Sequence, residues 1–165
     1  MKFRLAGVNR QSIVDGIGIR YTVYMQGCKH KCLGCHNKGT HDMNGGTLTD
    51  TEDIIKDFKQ QSYLTGISLS GGDPFFQPES ATELAQEVHK LGKNVWCYTG
   101  YTLEEILKDG TTAQKELLRN IDVLVDGRYD IKLNSLSVPF RGSSNQRLID
   151  VRETLNQNKV VEVIL

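Results

Sequence analysis

Three cysteines stand within eight residues of this chain, Cys28, Cys32 and Cys35, in the spacing C-x3-C-x2-C. Thiolates hold iron-sulfur clusters, and a cuboidal cluster has four irons to ligate. Three cysteines on one short loop therefore leave one iron without a nearby protein ligand. An electron carrier normally fills that corner with a fourth cysteine, whereas an open corner can bind a small molecule and do chemistry on it. Gly34, just before the third cysteine, suits a chain that must wrap tightly around its ligand. The same thiolates completed by His30, His36 or His41 could instead make a tetrahedral zinc site, although zinc motifs favour two separated cysteine pairs over a single triple. A disulfide role fits less well. The chain has four cysteines, one left over from the triple, and no apolar N-terminal signal, a pattern that suits a reducing cytoplasm.

A second chemical feature is the turn Ser70-Gly71-Gly72-Asp73-Pro74. Two consecutive glycines strip side chains from the backbone and let peptide groups approach a ligand closely. Taken alone, the pair is equally the mark of a tight strand-to-helix turn. Beside an open cluster corner, its carbonyls become candidates to accept hydrogen bonds from an amino group held on the iron.

The elements that must position these two loops are legible in part. Lys2 to Val8 is irregular and suggests no more than a short edge strand. Asp15-Gly16-Ile17-Gly18 is turn chemistry, and Arg20 to Gln26 alternates with period two as a strand running straight into Gly27 and the first cysteine. After the turn at Gly45-Gly46, Thr49 or Asp50 can cap a helix that carries Ile54, Ile55 and Phe58 on one face. Gly66 to Ser70 reads as a strand, Pro78 opens a helix with Ala81, Leu84, Ala85, Val88 and Leu91 at helical spacing, and Asn94 to Tyr98 is the next strand. Helices over Leu103–Lys108 and Thr112–Arg119 precede an apolar strand, Val123–Val125. This recurrence of strand, glycine turn and helix marks right-handed βαβ units with a parallel sheet, so the expected fold is α/β, an incomplete parallel (β/α) barrel or an open curved sheet. In such folds, sites are built at the strands' C-terminal ends.

Composition limits the alternatives. One domain over residues 1–165 is expected, short for a complete eight-stranded barrel of ~250 residues. With 20 basic and 20 acidic residues the net charge is zero, so nothing points to nucleic acid, and no apolar run nears the ~20 residues of a membrane span.

Cys28, Cys32 and Cys35 together resemble the signature of the radical S-adenosylmethionine superfamily. Asp15-Gly16 through Arg20, Gly27-Cys28 and Cys35-His36-Asn37 resemble its glycyl-radical-enzyme activating branch. Leu69 to Pro74, Tyr98 to Tyr101, Val123 to Tyr129 and Phe140 to Arg147 carry the likeness from about Ile13 to Leu148. The resemblance implies a radical SAM barrel and an oxidoreductase with a [4Fe-4S] cluster on Cys28, Cys32 and Cys35. S-adenosyl-L-methionine would chelate the fourth iron and bind at Gly34, Cys35 and His36, with its adenine by His36 and its amino group at Gly71 and Gly72. His36 stands where close homologues more often carry Tyr, and Ile17 where the motif commonly has Pro. The implied product is a glycyl radical, so no acid-base residue is assigned. The Arg141 to Arg147 run and Tyr98 to Tyr101 point to the large catalytic subunit of anaerobic ribonucleoside-triphosphate reductase as substrate. Another glycyl-radical enzyme such as pyruvate formate-lyase is the alternative, and a zinc-binding or electron-transfer module is the alternative of a different class. A flavodoxin- or ferredoxin-type donor would supply the electron.

Other residues read as structure. Cys97 is expected to be a buried inert thiol, His89 to be solvated, His30 and Lys31 to be exposed, and Phe75 and Phe76 to anchor core or loop. Asp126 and Arg128 read equally as a capped turn or as part of the active face, and the apolar Lys159–Leu165 segment as a docked strand.

Overall fold

The computed structural model describes all residues, 1–165. Seven strands form one sheet: β1 (Lys2–Ser12), β2 (Arg20–Met25), β3 (Thr47–Asp50), β4 (Gly66–Gly71), β5 (Asn94–Tyr98), β6 (Val123–Asp126) and β7 (Arg147–Asp150). Their spatial order is β3-β1-β2-β4-β5-β6-β7. The central four, β2-β4-β5-β6, are parallel, as the alternation of strand and helix predicts. Antiparallel strands flank them on both sides, with β3 on β1 and β1 on β2, and with β7 on β6. The sheet is thus mixed.

One strand expectation is corrected here, and a further strand, β7, had no expectation behind it. The opening segment is an eleven-residue interior strand, not a short edge, and β3 takes the edge instead. Irregular register between Leu5 and Gly7, and again between Asn9 and Ser12, explains why no clean period was visible. β7 is a four-residue strand hidden in a polar run. Its outer side is covered by the C-terminal segment, where Asp150 N–H donates to Val161 O at 2.8 Å and Val163 N–H to Leu148 O at 2.8 Å.

The helices are α1 (Thr51–Lys59), α2 (Pro78–Lys90), α3 (Leu103–Asp109), α4 (Thr112–Arg119) and α5 (Val151–Gln157). Local chemistry fixes their starts. Asp50 caps α1 by accepting from Glu52 N–H, and Pro78 occupies the first turn of α2, where its missing N–H costs nothing. Thr102 with Glu105, and Thr111 with Gln114, form reciprocal capping boxes. Ile54, Ile55, Phe58, Leu84, Val88, Leu117 and Leu118 from these helices join Tyr21, Val23, Met25, Ile67, Leu69, Val95, Cys97 and Leu124 from the strands in one apolar core. Each such aliphatic side chain contributes ~1.5–3 kcal/mol by leaving water. Cys97 is fully buried, and desolvation pushes its thiol well above the ordinary range, as an inert core thiol requires.

On the other face the alternation of β2 presents Arg20 and Thr22, both fully buried. Arg20 donates from Nε to Ser68 Oγ at 2.7 Å and from its terminal nitrogens to Ile17 O at 3.0 Å and Ile67 O at 2.7 Å. Its guanidinium lies 5.5 Å from the Trp96 ring centroid, and burial lowers its pKa to about 10. Ser68 Oγ donates in turn to Asp15 O at 2.6 Å, which fixes the Asp15–Gly18 turn over this face.

Candidate functional site

The cysteine loop leaves β2 at its C-terminal end, as the strand reading requires. Gln26, buried, spans the loop's base, donating from Nε2 to Gly39 O at 3.2 Å and Asp42 O at 2.9 Å. Gly27 N–H donates to Thr40 O at 2.6 Å and Cys28 N–H to His41 O at 3.2 Å, while Gly72 N–H reaches back to Met25 O at 2.8 Å and Asp73 N–H to Gly27 O at 2.9 Å. The loops after β2 and β4 are therefore laced together by backbone. That lacing explains the glycine pair sterically. Gly71 holds a φ of +102°, and a Cβ on Gly72 would stand 2.4 Å from Gly27 O. Gly34 has a φ of +73° in the turn closed by Cys35 N–H on Cys32 O, and a Cβ there would strike Ile131 Cδ1 at 2.5 Å.

Cys28, Cys32, Cys35, Gly71 and Gly72 line one cavity with Thr99, Gly100, Gly127 and Tyr129, loop residues that follow β5 and β6. All three thiols are unpaired and partly exposed. Desolvation raises the Cys28 thiol to about 11, against an opposing pull from the His30 backbone amide, and also raises Cys32. Proximity of the other sulfurs adds to both shifts. Such a set ionises readily only with positive charge in its midst. Asn37 N–H donates to Cys35 Sγ at 3.4 Å. Nowhere do three His, Cys, Asp or Glu side chains converge on a point fit for a single ion.

His36 lies outside this cavity, in an adjoining cleft of about 530 Å³ whose lining includes Val14, Asp15, Leu136 and Phe140. Its ring packs 4.9 Å from that of Tyr129. Asn37, Ser70 and Tyr98 line both spaces. The Tyr98 hydroxyl is buried without a hydrogen-bond partner, an arrangement that suits a polar ligand.

Of the polar residues read as structure, one departs from its expectation. His30 is not exposed: its side chain is 6 % accessible and its Nε2 lies 2.7 Å from Asp73 Oδ2. His89 is tied to Asp122 at 2.7 Å, and the same carboxylate oxygen accepts from Val95 N–H. Asp126 is buried, accepts from Leu103 N–H at 2.8 Å and pairs with Arg147, which also grips Glu104. Arg128 makes a two-pronged pair with Glu105. These are the capped turn and ion pairs of the structural reading. Arg141 touches only the backbone carbonyls of Pro139 and Gln146. Phe75 belongs to the core and Phe76 packs on His30.

The class of protein follows from comparison: residues 14–149 match the family model described as a 4Fe-4S single cluster domain. Among curated relatives, the anaerobic ribonucleoside-triphosphate reductase-activating protein of Escherichia coli (strain K12) is 39 % identical over 143 residues, covering 81 % of this chain and 90 % of that one. The protein of the same name from Enterobacteria phage T4 is 36 % identical over 143 residues, covering 82 % and 86 %. The chain belongs to this family of anaerobic ribonucleoside-triphosphate reductase-activating proteins. A solved structure, QueE from Escherichia coli, covers 76 % of this chain and 70 % of its own at 14 % identity and a TM-score of 0.49.

Proposed function

We propose that this chain is a radical S-adenosyl-L-methionine oxidoreductase that installs a glycyl radical on the large subunit of anaerobic ribonucleoside-triphosphate reductase. The observation that carries the reading is the single cavity lined by Cys28, Cys32, Cys35 and the Gly71-Gly72 turn at the C-terminal ends of parallel strands. When bound, the cluster and S-adenosyl-L-methionine supply, on one-electron reduction, a 5′-deoxyadenosyl radical able to take hydrogen from a glycine Cα. The residues fit these groups. Three thiols that line one cavity can each ligate a different iron of a cuboidal cluster.

In this reading Gly34, Cys35, His36, Gly71 and Gly72 frame the S-adenosyl-L-methionine site, with the His36 ring already packed against Tyr129. The adjoining cleft admits the glycine loop of a protein substrate, as an incomplete barrel does more easily than a closed one. Exposed Lys29, Lys31 and Lys38 on the cysteine loop favour an acidic donor of the flavodoxin or ferredoxin type. The relatives' name supports the reductase as partner, and the zero net charge and the lack of any helix able to cross a membrane are compatible with work in the cytoplasm.

Anaerobic reconstitution is expected to give about four irons and four sulfides per chain. Reduction with S-adenosyl-L-methionine and the reductase large subunit then yields a glycyl radical doublet in electron paramagnetic resonance. Cys28→Ala, Cys32→Ala and Cys35→Ala each abolish both, and Cys97→Ala keeps both. A doublet on pyruvate formate-lyase and none on the reductase would replace the partner and keep the chemistry; zinc in place of iron would sink the proposal.

A further inference from the structure

Asp73 is fully buried, and all its hydrogen bonds run to loops of the site. Its Oδ1 accepts from Phe75 N–H at 2.9 Å, while Oδ2 accepts from Thr99 Oγ1 at 2.9 Å and Gly100 N–H at 2.9 Å and faces His30 Nε2 at 2.7 Å. One carboxylate thereby joins the loops that follow β2, β4 and β5. His30 sits between the first two cysteines, and its ring is enclosed: Tyr101 meets it edge-on at 4.7 Å and Phe76 tilts against it at 5.4 Å. Gly100 is a glycine for the same reason, since a Cβ there would lie 2.5 Å from His30 Cδ2. Three separate sequence runs, Cys28 to His30, Asp73 to Phe76 and Thr99 to Tyr101, are thus one mechanical unit.

We propose that His30 is a positioning residue for the cluster, acting through its Nε2–H bond to Asp73 to hold the loop that carries the cysteines and, at Asn37, the amide that donates to the Cys35 sulfur. The inference rests on the cluster assignment above. Hydrogen bonds to cluster sulfurs stabilise the extra negative charge of the reduced state and so raise the reduction potential. A loop free to shift would lose that contribution while keeping all three ligands. The ring contributes shape and a donor, and two substitutions separate them. His30→Leu keeps bulk among Tyr101, Phe76 and Gly100 without a donor. His30→Gln places an amide N–H where Nε2 stands, ready for Asp73 Oδ2.

The measurement is a redox titration of the reconstituted cluster followed by electron paramagnetic resonance, with iron content determined in parallel. His30→Leu is expected to lower the potential, so that at a fixed poise the ratio of reduced to oxidised cluster falls roughly three- to tenfold, the weight of one hydrogen bond, or to retain no cluster. His30→Gln is expected to hold full iron at the wild-type potential. A His30→Leu cluster with the wild-type potential and spectrum would overturn the proposal, as would equal deviation of the Leu and Gln variants, which would leave only ring shape. A wild-type chain that binds no cluster would overturn this inference and the proposed function together; a wild-type cluster without the Leu–Gln difference would overturn this inference alone.

Discussion

On the helix side of the sheet, β2 sends Tyr21, Val23 and Met25 into an apolar core continuous with α1, α2 and α4. On its other side the same strand places Arg20 and Thr22, which are equally buried but satisfied by hydrogen bonds to Ser68, Asp15 and backbone carbonyls. Both faces exclude water, one with a large apolar core and the other with hydrogen bonds around Arg20 beside a small cluster of Trp96, Val125 and Leu148. The apolar face supplies most of the driving force, because burial of hydrocarbon is non-directional and scales with area. The polar face has directional partners that fix the Asp15–Gly18 turn and, further along the strands, lead to the cysteine cavity. Division of labour across one sheet places stability on the helix side and the candidate chemistry on the other.

The comparison breaks most completely where the strands end. Gly72→Val puts a branched side chain on Gly27 O, one residue before Cys28, so the expected result is loss of cluster binding and not merely weaker S-adenosyl-L-methionine affinity. Iron content after anaerobic reconstitution checks this. A full cluster with reduced ligand affinity would mean that the glycine serves the ligand alone.

Within the sheet the two faces should respond unequally. Ile67→Ala on the helix side leaves a cavity in close-packed hydrocarbon and is expected to cost ~2–5 kcal/mol, read from the denaturant midpoint. Arg20→Met on the polar face keeps bulk and removes a desolvated charge, while taking a donor away from Ser68 Oγ and from the carbonyls of Ile17 and Ile67; ~1–2 kcal/mol is the expected net loss. Its larger consequence is local, as faster amide hydrogen exchange through Gly16 to Ile19. An Arg20→Met variant as unstable as Ile67→Ala would remove the distinction between the faces.

The helix side was the more legible one. Helical spacing in α2 and the apolar run of β6 announce their burial directly, and Asn94–Tyr98 and Thr112–Arg119 have the bounds that period and caps predict. The polar face was not legible, because Arg20 and Thr22 on an alternating strand look the same whether they meet water or Ser68 and Trp96. At the site, cysteine spacing was sufficient to find three thiols that line one cavity, since sequence-local chemistry carries it. His30 and Asp73 escaped as a pair because they lie 43 residues apart, and only the strand order brings their loops together. The turn containing Asp73 was visible, its carboxylate's partners were not. β1 and β7 were obscured by broken register and by short length in a polar run.

The smallest expected effect lies on the rim, where Glu105 serves two purposes at once. As the third residue of α3 it completes the capping box with Thr102, and its carboxylate pairs with Arg128. The Arg128 bond, ahead of all other influences, holds its pKa near 2. A carboxylate depressed in the folded chain adds stability that is fully present above its unfolded pKa of ~4.3 and is lost as pH falls towards 2. Both side chains are more than a third exposed, so screening limits the contribution to ~0.5 kcal/mol. Glu105→Gln retains an acceptor for the cap and discards the charge. Its thermal midpoint is therefore expected to fall slightly below wild type at pH 7 and to converge with it as the pH approaches 2, with the gap at pH 7 narrowing in high salt. A gap that persists at pH 2 and in salt would place the role of Glu105 in the cap and not in the ion pair.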